Sequence, residues 1–127
     1  MRGHSGTAII VWLDDRVLAV RHSYKPGLRL PGGGVKPRED HRLAAIRELR
    51  EETGVIVAPA DAIEVVAYSG KYGKRSVFEV HLDTEPELTV DNREIVYAGF
   101  ELPEAVIEHN HFVNNYLRKH VLPSMAA

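Results

Sequence analysis

The stretch LPGGGVKPREDHRLAAIRELREETGV, from Leu30 to Val55, constrains the fold more than any other part of the chain. Three consecutive glycines, Gly32 to Gly34, precede a segment with helical spacing that ends on Gly54. Asp40 stands where an N-cap side chain accepts a free amide, and Gly54 where a left-handed C′ residue closes the last turn. A helix from about Asp40 to Thr53 is therefore predicted. At about 100° per residue, Glu48, Glu51 and Glu52 fall within an arc of about 100°, and Leu43, Ile46 and Leu49 form an apolar arc on the other side. The predicted helix has a core face and a carboxylate face. Like charges at these spacings cost roughly a few tenths of a kcal/mol each. A structural helix can avoid that cost by interleaving lysines. A divalent cation turns the repulsion into binding, because hard cations take clustered carboxylate oxygens. For the triplet taken alone, a solvated acidic face is the competing reading.

The rest of the chain supplies strands and a second helix. TAIIVWL (Thr7 to Leu13) and RVLAVRH (Arg16 to His22) are rich in β-branched and apolar residues, and Asp14-Asp15 joins them as a hairpin. Pro26, Gly27, Pro31 and the glycine run leave only a short extended piece at Leu28 to Leu30. Strands are predicted at Ala62 to Ser69, at Arg75 to Asp83 and at Glu94 to Leu102. In the second of these, Phe78, Val80 and Leu82 alternate with Glu79 and His81. After Pro103 a closing helix is predicted over Glu104 to Leu122, with Val106, Asn110, Val113 and Leu117 along one side. No repeat or linker interrupts residues 1–127, which are read as one domain. Strands mixed with two helices, not strictly alternating, predict an α/β fold with a mixed sheet and helices on its faces.

Composition narrows the function classes. A chain of 127 residues can bury a core without disulfides or a structural metal. A net charge of -2 provides no global field for nucleic acid or an anionic membrane, so neither is expected as a stable partner. The absence of cysteine excludes a thiolate nucleophile and a cysteine zinc site, and fits a reducing cytoplasm. No apolar run approaches the roughly 18 residues of a membrane span. The opening MRGHSGTAII has too short an apolar stretch for a signal peptide, and a cytoplasmic location is expected. His109-Asn110-His111 is not read as a metal pair, because residues two apart on a helix point about 160° apart. Gly32 to Gly34 lacks the G-K-[ST] ending of a P-loop. Trp12, in an apolar strand, is read as core.

Gly33, Glu39, Arg47, Glu48, Leu49, Glu51, Glu52, Gly54 and Val55 match the pattern G-x5-E-x7-R-E-U-x-E-E-x-G-U. From average residue usage, chance agreement is below about one in a billion per start position. The segment resembles the signature of the Nudix hydrolase family without a gap. The resemblance extends more loosely to Leu30-Pro31-Gly32, the preceding hairpin and the strand-then-helix ending. It implies a Nudix-type α/β/α sandwich with a mixed β-sheet between helices. It also implies hydrolysis of a nucleoside diphosphate linked to another moiety, using Mg²⁺ or Mn²⁺.

By motif position, the resemblance makes Glu48, Glu51, Glu52 and the carbonyl of Gly32 metal ligands. Arg47 would pair with Glu39 and hold the loop against the helix. Gly33 and Gly34 would let backbone approach metal and phosphate with no Cβ in the way. The catalytic base would be Glu52 or Glu51, or else Glu94 ahead of the late strand. Arg29, with Arg21, Lys25, Lys71, Lys74 and Arg75, would grip outer phosphates or a second moiety. Tyr72 resembles the base-stacking tyrosine of the dinucleoside polyphosphate branch. Two positions depart from many members. Lys36 stands where they have Glu, which removes an accessory ligand and adds a cation for phosphate contact, and Arg38 stands where they have Gly. A non-catalytic nucleotide-sensing module is the main alternative, but such modules lose box glutamates and none is lost here. A calcium-stabilised structural domain would need neither the glycine loop nor Arg47. The substrate and the oligomeric state stay open, with a homodimer one option.

Overall fold

The computed structural model describes residues 5–70, 73–106, 108 and 110–126, with side chains as far as residue 119. The elements run β1 (Gly6–Leu13), β2 (Arg16–His22), β3 (Leu28–Arg29), β4 (Gly32–Gly34), α1 (His41–Thr53), β5 (Ile63–Gly70), β6 (Gly73–Leu82), β7 (Ile95–Glu101) and α2 (His111–Ala126). Short 3₁₀ turns sit at Pro59–Asp61 and Pro103–Ala105. Among the described residues, no helix is long and apolar enough to cross a membrane.

The sheet is mixed, and its two halves part at the site. The β1–β2 hairpin is paired only at its turn end, Trp12 with Val17 and Leu13 with Arg16. Beyond that the strands separate. The first half of β1 pairs with β4, and the far end of β2 pairs with β3. On their outer edges, β1 runs parallel to β6 and β2 runs antiparallel to β7. Thus β4-β1-β6-β5 and β7-β2-β3 diverge from one hairpin and leave a cavity between them.

Alternation along β1 assigns the two cores. Ile9 and Val11 pack with Leu49 and Ala45 of α1, together with Phe78 and Val80. Ile10 and Trp12 pack with Val113 and Leu117 of α2. The result is an α/β/α sandwich, as the element order predicts. Trp12 is core, and its indole N–H donates to Glu79 at 2.9 Å.

Three expectations are corrected. The triple glycine forms strand β4 instead of only breaking the chain. Gly32 lies opposite Ala8, where a Cβ would run into the Thr7 carbonyl oxygen, so only glycine lets β4 approach β1 this closely. The closing helix begins at His111, not Glu104. Pro103 opens a 3₁₀ turn, Val106 is buried in a bridge to Leu28, and the Asn110 side chain accepts the Phe112 and Val113 amides as an N-cap. His109 lies outside the described residues. Finally, the core and carboxylate faces of α1 are not opposed. Leu43 is 50% exposed, whereas Ala44, Ala45, Leu49, Glu52 and Thr53 are buried. Glu52 sits in the middle of the buried arc.

Candidate active site

Helix α1 is locked at both ends, which fixes the direction of its glutamates. The Asp40 carboxylate accepts the Leu43 amide at 3.1 Å. At the other end Gly54 turns left-handed at φ 79°, where its amide reaches the Arg50 carbonyl at 2.9 Å. A side chain at Gly54 would also meet Thr89. Between these caps, Glu48 and Glu52 point at β4. The Glu48 carboxylate lies against the Cα of Gly33, in space that a Cβ would fill. The Gly32 amide donates to Glu52 Oε1 at 3.2 Å.

Arg47 ties the loop, the helix and the cluster together. Its Nε and Nη2 donate to the two oxygens of Glu39 at 2.8 and 2.9 Å, a two-point contact that a lysine cannot make. Nη2 also donates to the Gly34 carbonyl at 3.1 Å. Nη1 reaches Glu51 at 3.1 Å and Glu48 at 3.4 Å. The Arg47 hydrogen bonds, helped by the Lys36 amide, hold the Glu39 carboxyl down at about 2. The Arg47–Glu39 pairing expected from the sequence is present in full.

The glutamates facing β4 behave oppositely. Burial raises Glu52 to about 8, against the opposing pull of the Gly32 amide, and the charges of Glu48 and Glu51 raise it further. Burial and a hydrogen bond with Glu51 raise Glu48, while the Arg47 charge works against them. Glu51 is more open, with 54% of its side chain exposed. Three carboxylates thus share a half-buried space with one guanidinium.

The parting of β1 and β2 opens onto this cluster as a cavity of about 700 Å³. Glu48, Glu51 and Glu52 line it together with Gly32, Gly33 and Gly34. Glu94, one residue ahead of β7, also lines the cavity, as do Lys25, Arg29 and Arg75. Lys36 is exposed outside the cavity wall, and its backbone amide donates to Glu39. Arg21 and Lys74 do not line the cavity, and Lys71 and Tyr72 lie outside the described residues.

The lining residues that were not anticipated include His22 and Asp91. His22 ends β2 at an irregularity in its pairing with β7. Its ring is half-buried, and burial, with the charges of Lys25 and Arg29, lowers its pKa against the pull of Glu94. Asp91 lies three residues before Glu94. The only sequence signal for it is an Asp-Asn pair of the kind that builds a turn ahead of a strand.

The residues fit a divalent cation. The donors are hard oxygens, and the glycine cradle at Gly33 keeps the Glu48 carboxylate free of side-chain bulk. Among the described residues, no three acidic or histidine side chains already converge on one point. Arg47 Nη1 instead donates to Glu51 at 3.1 Å. A cation would compete with that guanidinium for Glu51.

The family model described as the NUDIX domain matches residues 3–119. No curated protein matches by sequence. Among solved structures, the chain is similar to a MutT NUDIX hydrolase from Burkholderia pseudomallei, with 20% identity, 93% of this chain and 98% of that chain covered, and a TM-score of 0.74. It is similar to an Ap4A hydrolase from C. elegans, solved as a binary complex, with 18% identity, 96% and 99% covered, and a TM-score of 0.72. A bifunctional NMN adenylyltransferase/ADP ribose pyrophosphatase from Francisella tularensis, complexed with AMP and Mn ion, shares 18% identity and a TM-score of 0.73. There the match covers 92% of this chain and 41% of that chain. At such identities these likenesses speak to the fold.

Proposed function

This chain belongs to the Nudix family and is a Nudix hydrolase, and we propose that it works as a divalent-metal-dependent pyrophosphohydrolase on a nucleoside diphosphate linked to another moiety. One observation carries the reading. A single cavity places the Glu48, Glu51 and Glu52 carboxylates beside three cationic side chains, Lys25, Arg29 and Arg75. A diphosphate needs both: anionic ligands for a metal that bridges its oxygens, and cations for the charge that remains. The solved relative that holds AMP and Mn ion supports the same ligand chemistry.

Glu48, Glu51, Glu52 and the Gly32 carbonyl would hold Mg²⁺ or Mn²⁺. Once bound, the cation would neutralise phosphate oxygens and lower the pKa of the attacking water. The chain's own residues do the rest. Arg47 and Glu39 keep the glycine loop against α1, so Gly33 and Gly34 present backbone to the phosphates. Arg29, Lys25 and Arg75 receive the outer phosphate or the second moiety. His22, whose pKa burial lowers, adds a polar edge to that wall. Lys36, outside the wall, contributes at most through its long side chain. Glu94 stands on a separate element from the metal ligands and takes the proton of the water. The water oxygen bonds to phosphorus, the anhydride P–O bond breaks, and its electron pair leaves with the departing phosphate oxygen. Glu51 and Glu52 are the other candidates for the base. The reading places this chemistry in the cytoplasm, acting on small nucleotides.

The test is a hydrolysis screen with Mg²⁺ across nucleoside triphosphates, dinucleoside polyphosphates, ADP-ribose and nucleotide sugars. Chelator-sensitive turnover of at least one class is expected. Tight nucleotide binding with no turnover in any class would replace the enzyme with a sensing module.

A further inference from the structure

Glu94 belongs to no helix and to no paired strand, yet it must hold a fixed place if it is to take a proton from one water. The loop ahead of it shows how. One oxygen of Asp91, Oδ1, accepts three successive backbone amides: Arg93 at 2.9 Å, Glu94 at 3.2 Å and Ile95 at 3.0 Å. Asn92 adopts the left-handed region at φ 61°, and its own amide reaches back to the Ile95 carbonyl at 3.0 Å. The Glu94 carbonyl accepts the Ser23 amide at 2.9 Å, which fastens the loop to the end of β2. The same three amides stabilise the charged form of the Asp91 carboxyl and lower its pKa.

We propose that Asp91 is a positioning residue for the reaction: its side chain gathers the 93–95 amides into a tight turn that fixes Glu94 on the cavity wall, facing the carboxylate helix. This inference rests on the reading of Glu94 as the base. Asp91 is exposed, and of its three amide partners only Ile95 is buried, so the bonds to the exposed Arg93 and Glu94 have little packing to serve. They order a segment that would otherwise sample many conformations, and a general base needs a defined distance to its proton. The role needs an acceptor oxygen at Oδ1 and not a charge. An asparagine retains that oxygen, and an alanine removes it.

The experiment is a double-mutant cycle in kcat, using whichever substrate the screen identifies. Glu94→Gln is expected to lose about 10²-fold or more in kcat. Asp91→Ala is expected to lose about 10-fold or more in kcat with KM changed less than about 3-fold, at an unchanged melting temperature. Asp91→Asn is expected to stay within about 3-fold of wild type. In the Glu94→Gln background, Asp91→Ala is expected to cost less than about 3-fold more. Equal losses from Asp91→Ala in both backgrounds would overturn the proposal, because Asp91 would then act independently of Glu94. So would an Asp91→Asn variant as impaired as Asp91→Ala, which would make the charge itself the functional feature. Wild-type kcat in Asp91→Ala with a crippled Glu94→Gln overturns the positioning role and leaves the base assignment standing. Wild-type kcat in Glu94→Gln removes the base assignment and the positioning role with it.

Discussion

Two glutamates are largely withdrawn from water on opposite sides of the sheet, and their surroundings differ. Glu79, beneath α2, has both carboxylate oxygens occupied: the Trp12 indole donates to one at 2.9 Å and the Tyr116 hydroxyl to the other at 2.8 Å. Only 11% of its side chain is exposed. Glu52, beneath β4, is 9% exposed and receives one backbone amide, with two further carboxylates as neighbours. A buried carboxylate with its hydrogen bonds made ties secondary structure together, here α2 to the sheet. A buried carboxylate crowded by like charge costs stability unless a cation arrives. The first arrangement serves the fold, and the second, on the proposed function, serves a ligand.

Exchanging the two roles by mutation should separate activity from stability. Glu52→Gln is expected to lower kcat by about 10²-fold or more while leaving the metal-free melting temperature unchanged or raised, because a neutral amide suits that burial better. Steady-state kinetics beside thermal unfolding in chelator reads both. Near-normal turnover at saturating metal would erase the distinction. Arg47→Lys should follow with about a 10-fold loss in turnover and a small loss of stability, since the cation persists but the two-point grip on Glu39 does not. Normal turnover there would mean that the clamp is dispensable. Glu79→Gln should do the reverse of Glu52→Gln. The amide nitrogen cannot accept the hydrogen bond that one oxygen now takes, so unfolding free energy should fall by about 1–3 kcal/mol with kcat of the folded protein retained. Denaturant titration checks it.

A further effect is in pH. Glu52 titrates near 4.5 when unfolded and at about 8 in the folded, metal-free chain. Folding therefore favours its protonated form. The associated stability is fully present below about 4.5 and is lost as pH rises through about 8. Metal-free wild type should lose melting temperature across that window more steeply than Glu52→Gln. Parallel profiles would show that Glu52 keeps an ordinary carboxyl.

Much of this was readable in the sequence because it is local. Asp40, Gly54 and the Glu39–Arg47 spacing act within one helix and its adjoining loop, and each appears where the residue pattern puts it. What a helical wheel misses is contact from elsewhere. It sets Glu52 opposite the apolar residues because glutamate is polar, whereas β4 is all glycine, approaches closely and covers that side of α1. It carries the last helix back to Glu104 because the periodicity continues, whereas Val106 is claimed by Leu28 from a distant strand. Asp91 left only a faint trace, since its three partners are backbone amides and any residue could supply them.

If Glu48, Glu51 and Glu52 hold a cation, as proposed, the Glu52 carboxyl, which burial raises to about 8, gives up its proton when the cation binds. Calorimetric titration of Mn²⁺ into the metal-free protein at pH 7, in buffers of different ionisation enthalpy, counts the protons that leave on binding. Binding with release of about one proton is predicted, with both lost or sharply reduced in Glu52→Gln. Binding with no proton release, or equal binding by Glu52→Gln, would contradict it.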